Sequence, residues 1–139
     1  MTKEEISEFL QDGTKTGKLA TVRADGRPHV VPIWFVLDGD KIVFNTGPQS
    51  IKARNMLRDP RVSISVDDQA PPYSFVTVEG TAEMSDDFEV ALHWATRIGG
   101  RYMGEDRAEE FGKRNSSDGE LTVKISPTNV LAYKNITDY

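Results

Sequence analysis

The chain has 139 residues, of which 37% are hydrophobic and 28% charged, and a net charge of −5. This is the balance of an ordinary soluble globular protein of one-domain size (residues 1–139), and it excludes the broad basic surface that sequence-independent nucleic-acid binding needs. Cysteine is absent, which excludes disulfides, iron–sulfur clusters, thiolate metal sites and a cysteine nucleophile; with no signal-like or membrane-spanning apolar run, the expected location is the cytoplasm.

Thr2 to Asp12 reads as a helix, with Thr2 and Glu5 as a capping box and Ile6, Phe9 and Leu10 as a narrow apolar stripe. Gly13 is its expected stop. Three strands follow, Lys18–Val22, Pro28–Leu37 and Lys41–Thr46, separated by the turn pairs Asp25-Gly26 and Asp38-Gly39. Val30, Val31, Ile33, Trp34, Phe35 and Val36 form a near-continuous apolar run, so the second strand is expected to be buried on both faces. Pro32 interrupts that run and cannot donate to a ladder. It implies a bulge, an edge, or a place where a ligand takes the position of a pairing strand, and all three remain open.

Ser50 to Arg58 reads as a short helix ended by Asp59-Pro60, with Ala53, Met56 and Leu57 toward the core. Val62, Ile64 and Val66 alternate with polar residues in a half-buried strand, Arg61–Asp67. After the loop Asp68–Pro72, Tyr73–Met84 is a further strand with Gly80 as its expected bulge. Ser85 is expected to cap a helix running to about Ile98, with Phe88, Ala91, Leu92, Ala95 and Ile98 as its apolar stripe. Gly99-Gly100 reads as its stop. Gly99 to Gly119 reads as a mobile polar connection with room for one short helix near Glu105–Phe111. Leu121–Ile125 and Val130–Tyr133 close the chain as two strands separated by Ser126-Pro127. The sum is mainly β with short helices: six to seven antiparallel strands in a small barrel that hides its edges by closing.

Catalytic patterns are sparse. His29 and His93 lack companions at ligand spacing, so no metal site is expected. Asp67-Asp68 and Asp86-Asp87 read as loop and cap residues. There is no GxGxxG, Walker A or nucleophile-elbow pattern. The informative stretch is KIVFNTGPQSIKARNMLRDPR, Lys41 to Arg61, where five basic side chains meet the single Asp59. A strand here turns into a helix whose first turns carry Lys52 and Arg54. A helix start exposes unpaired N–H groups and the positive end of the dipole, so added cations make a seat for phosphate. A solvated helix face beside a strand is the competing reading. A phosphate seat without catalytic side chains suits an enzyme whose cofactor carries the chemistry.

The segments GKLATVRADGRPHVVPIWF, VFNTG and KARNMLRDPRV together resemble the flavin-binding split β-barrel superfamily, the pyridoxamine 5′-phosphate oxidase-like proteins. Within it the chain looks most like the deazaflavin branch of reductases that use coenzyme F420. The resemblance implies a homodimer with two cofactor sites at the subunit interface. Val31, Pro32, Ile33 and Trp34 would line the isoalloxazine or deazaflavin ring. Asn45 and Thr46 would lie beside the ribityl chain and phosphate. Ile51 and Lys52 match the pair that grips the phosphate in the family, with Ile in place of the first basic residue. Arg54 would supply missing charge and Ser50 a hydroxyl. Tyr73 and the region near Trp94 would complete the partner's pocket. The chain ends LAYKNITDY, without the basic C-terminal motif of true pyridoxamine phosphate oxidases, so that oxidation is not expected.

The resemblance thus implies an oxidoreductase passing a hydride from reduced F420 to an electron-poor acceptor such as an enone, quinone or tetrapyrrole. The basic surface near Arg58 would attract the coenzyme's acidic tail. The alternatives are an FMN enzyme on the same fold, or a protein that binds flavin, F420 or haem without turnover.

Overall fold

The computed structural model describes residues 1–138, apart from the side chain of Asp138. Its elements are α1 (Lys3–Gln11), β1 (Gly17–Val22), β2 (Pro28–Ile33), β3 (Val36–Asp38), β4 (Lys41–Thr46), α2 (Ile51–Arg58), β5 (Arg61–Asp67), β6 (Phe75–Ser85), α3 (Phe88–Met103), α4 (Ala108–Arg114) and β7 (Leu121–Tyr133), with short 3-10 turns at Glu105–Arg107 and Ile136–Asp138. No helix among the described residues is long and apolar enough to cross a membrane.

The seven strands form one antiparallel sheet in the order β2-β1-β5-β6-β7-β4-β3. Its two edges, β2 and β3, are consecutive in the chain and joined only by Trp34 and Phe35. Three Cα steps span at most about 11 Å, so the sheet has to curl until its edges nearly meet. No ladder joins those edges among the described residues, so the expected closed barrel is a curled sheet with a split. Phe35, Phe44, Leu19, Ile64, Val76 and Ile125 fill its interior.

The single strand expected over Pro28–Leu37 breaks at Trp34-Phe35. Tyr102 and Arg101 of α3 take over the backbone groups that a continuous strand would pair. Phe35 N–H donates to the Tyr102 hydroxyl at 3.2 Å, and Arg101 Nη1 donates to Phe35 O at 2.7 Å. Arg101 also donates to Leu10 O and Gly13 O, which fixes α1 and α3 to the same corner. β2 is not buried on both faces either: Val30 is 60% exposed. Pro32 is therefore an edge-strand proline, opposite Lys18 in the ladder.

Four more expectations need correction. Leu57, placed in the core by its spacing, is 65% exposed; Asn55 is buried instead. α3 starts at Asp87, whose side chain accepts from Val90 N–H, and Phe88 is outside the stripe at 57% exposure. α3 also runs straight through Gly99-Gly100 to Met103. A Cβ at Gly99 would come within 2.6 Å of the Phe111 Cβ, so the glycine lets α4 pack close and is no stop. The stretch read as a loose connection is therefore largely helix. Finally, β7 is one strand of 13 residues. Pro127 is absorbed by a bulge opposite Gly80, where a Cβ would meet Ser126 O at 2.4 Å. The Gly80 bulge is where the sequence placed it.

Candidate functional site

α2 begins as its sequence dictates. The Ser50 hydroxyl accepts from Ala53 N–H at 3.2 Å and shares a 2.8 Å hydrogen bond with Thr46 Oγ1 at the end of β4. This cap fixes the turn 47–50 and sets the direction of the helix. Ile51 is 54% exposed. Arg54 is exposed too, its Nη2 donates to Gln49 Oε1 at 3.0 Å, and it is not among the residues that line the cleft Lys52 enters. Lys52 turns the other way.

There it enters a cleft of about 290 Å³ lined by Pro32, Ile33, Trp34, Asn45, Lys52, Ala95, Ile98, Asn115 and Glu120. Five residues expected from sequence, Pro32, Ile33, Trp34, Asn45 and Lys52, thus meet in one place. A larger groove of about 410 Å³, bounded by Thr96, Arg97, Arg101 and Glu105 among others, contains none of them.

Trp34 stacks on Tyr102 with centroids 5.0 Å apart and planes 2° from parallel, and Phe111 tilts against it at 6.1 Å. Tyr102 is itself pinned, its hydroxyl donating to Lys15 O at 2.7 Å. Burial pushes that phenol's pKa above its ordinary range, so it stays a neutral donor. The indole is thereby locked in orientation beside the cleft.

Asn45 ties β4 to the helices. Its Nδ2 donates to Ala91 O at 2.9 Å and to Asn115 O at 3.4 Å. Its Oδ1 is buried and unpartnered, as is Oγ1 of Thr122, directly across the β4–β7 ladder. Unsatisfied buried acceptors are rare and point to a missing partner.

Lys52 takes part in no ion pair among the described residues. Desolvation pushes its ammonium pKa down, against the Glu120 carboxylate, which holds it up. Burial likewise pushes the Glu120 carboxyl up, against the pull of Lys52. An unpaired, partly desolvated cation, an orphaned amide oxygen and a fixed aromatic plane fit a ligand with an anionic end and a flat ring. Glu120 is the one lining group that opposes an anion.

The other expected residues lie outside this lining. Val31 pairs with Leu19 on β2, Thr46 is buried under the α2 cap, and Tyr73 is 44% exposed on the loop before β6. Trp94 is buried against Val36, Val43 and Ile98. Sequence reasoning missed Ala95, Ile98, Asn115 and Glu120. The first two were read only as core stripe, Asn115 fell in the stretch taken for a connection, and Glu120 was the unassigned position between that stretch and the strand from Leu121.

Comparison with known proteins follows this geometry. Residues 2–132 match the family model described as pyridoxamine 5′-phosphate oxidase, and the chain belongs to that family. A 5a,11a-dehydrotetracycline/5a,11a-dehydrooxytetracycline reductase of Streptomyces rimosus is 34% identical over 90 residues, 59% of this chain and 62% of the relative. The match thus spans less than two thirds of that reductase. Among solved structures, the conserved hypothetical protein Rv2991 of Mycobacterium tuberculosis superimposes with a TM-score of 0.85 at 27% identity, covering 97% of this chain and 86% of that one. An F420 reductase superimposes with a TM-score of 0.73 at 30% identity, covering 89% and 94% respectively.

Proposed function

We propose that this protein is an oxidoreductase that uses reduced coenzyme F420 to reduce an electron-poor small molecule, an enone, quinone or tetrapyrrole-like acceptor. The observation that carries this reading is the unpaired, half-buried Lys52 beside the orphaned Asn45 Oδ1 and the fixed Trp34 ring. The similarity to an F420 reductase and to a tetracycline-series reductase supports it. When bound, a reduced deazaflavin supplies the hydride. The chain's own residues bind and orient: Lys52 holds the phosphate, Asn45 offers an acceptor to a ligand donor, and Trp34 with Ile33 and Pro32 shapes the ring slot. Val31, Thr46, Ser50, Ile51 and Arg54 serve indirectly, through the β2 edge and the α2 start. A second copy would complete the open side of the cleft, with Tyr73 as its contribution.

The FMN reading shares the same seat. Fluorescence titrations with F420, FMN and haem, each separately, distinguish the readings. Tight F420 binding and weak binding of the other two are expected. Lys52→Ala should raise the F420 dissociation constant about tenfold or more, since a charge-assisted contact is worth roughly 1.5–3 kcal/mol. An FMN preference, or a dissociation constant insensitive to Lys52, would defeat the F420 assignment.

A further inference from the structure

Glu120 stands where an acid is least expected. Its backbone N–H donates to Ser117 O at 3.0 Å, closing the turn that leads into β7. That turn lies on the one leading into α2: a Cβ on Gly119 would lie 3.4 Å from Pro48 Cγ, and a Cβ on Gly47 would lie 4.0 Å from Glu120 Oε2. The carboxylate therefore reaches over the chain just before the α2 cap, in the cleft that Lys52 enters. The groups around it are few. α2 brings Lys52, β4 brings neutral Asn45, α3 brings apolar Ala95 and Ile98, and the segment after α4 brings neutral Asn115. Lys52 is the only charged neighbour on the lining, yet the two form no direct ion pair.

We infer that Glu120 is a built-in competitor for the anion seat at Lys52, so that the phosphate end of a ligand enters together with a proton taken up by the Glu120 carboxyl. The inference rests on the reading of Lys52 as the phosphate-holding residue and adds a specificity determinant to that site. The physics is mutual exclusion. A phosphate at Lys52 brings negative charge next to Glu120 in a partly desolvated cleft, where like charges disfavour joint ionisation. The carboxyl takes a proton from solvent and becomes a neutral hydrogen-bond donor. Burial already raises its pKa in the free protein, and the bound anion raises it further. Affinity is therefore highest below the free-state pKa, falls as pH rises between the free and bound values, and levels off above both.

The test is binding of FMN and F420 to wild type, Glu120→Gln and Lys52→Met, by fluorescence from pH 5 to pH 8. Any titration of the ligand itself is common to wild type and Glu120→Gln and cancels in their ratio. Glu120→Gln should bind about tenfold tighter than wild type at pH 8, since one unit of pKa shift corresponds to a factor of ten, and the ratio should fall toward one as the pH is lowered. A pH-independent ratio, or weaker binding by Glu120→Gln, would overturn the inference while leaving the seat intact, provided Lys52→Met weakens binding. If Lys52→Met binds as wild type does, the phosphate-seat reading fails and this inference with it. A direct readout guards against a misfolded variant. The side-chain carboxyl carbon of Glu120, followed by NMR in the wild-type protein, should titrate at higher pH with FMN bound than without; an unmoved midpoint refutes the proposal.

Discussion

Asn55 holds α2, and with it Lys52, against the sheet. It is 4% exposed. Its Nδ2 donates to Thr21 Oγ1 at 3.0 Å, and its Oδ1 accepts from Arg58 Nη2 at 3.1 Å. Arg58 also donates to Val22 O, so one amide and one guanidinium clamp the helix to β1. Asn55→Ala strands the Thr21 hydroxyl and should cost about 1–3 kcal/mol. Urea denaturation should show a lower midpoint at unchanged slope; an unshifted midpoint would show that the clamp is dispensable. Residues of this kind mark the limit of what the sequence discloses. Lys52 was legible because it lies in the first turn of a helix a few positions after a strand end, and Asn45 through the family resemblance. Asn55 was not, because its partner Thr21 is 34 positions away and a buried amide leaves no periodic trace. Glu120 and Asn115 escaped for the same reason: Asn115 meets Asn45 across 70 positions.

The helical pair α3–α4 forms a wall of the cleft, through Ala95, Ile98 and the Asn115 that follows it. Glycine inside a helix costs about 1 kcal/mol relative to alanine, so two in succession at Gly99-Gly100 read as a stop. Contact overrides propensity here. Gly99 lies under Phe111, which is 5% exposed and closes the aromatic stack behind Trp34. Gly99→Val would force the helices apart, an overpacking cost of about 1–3 kcal/mol. The sharper expectation is functional: displacement of Phe111 should loosen Trp34 and weaken ring binding, seen as a lower melting temperature together with a change in indole fluorescence. A variant that melts and fluoresces as wild type does would refute close packing at this crossing. Strands with clean alternation, by contrast, were legible nearly residue by residue, because a pattern such as Val62, Ile64, Val66 states which face is inward. The strand errors fell where a tertiary partner replaced the ladder, as Tyr102 and Arg101 do at Phe35, and where a bulge let the ladder run on past Pro127.

At the scale of the whole molecule, apolar side chains remain on the outside: Val30 at 60% exposure, Leu57 at 65%, Ile51 at 54% and Leu131 at 47%. Exposed apolar surface of this kind marks association sites when it is contiguous. β2 and α2, which carry the first three, also supply Pro32 and Lys52 to the cleft. The homodimer proposed above would cover them and close the cleft in one step. Sedimentation equilibrium should return twice the 15.5 kDa chain mass. Val30→Glu should shift the protein toward monomer and weaken ligand binding in parallel; a monomeric wild type that still binds tightly would refute the shared site.

β7 is hydrogen-bonded to β6 over one stretch and to β4 over another, and it is the only strand that touches both halves of the sheet, β2-β1-β5-β6 and β4-β3. The order of synthesis gives this a kinetic meaning. A nascent chain that has emerged through α4 holds every cleft residue except Asn115 and Glu120, yet its two part-sheets have no ladder between them, and the β6 and β4 edges that β7 will join stand unpaired. Their pairing waits on a segment roughly eighty positions downstream of the first half of the cleft, and closing such long loops is slow. Until β7 emerges the two part-sheets have no strand to join them, so the cleft can be completed only after the last strand is made.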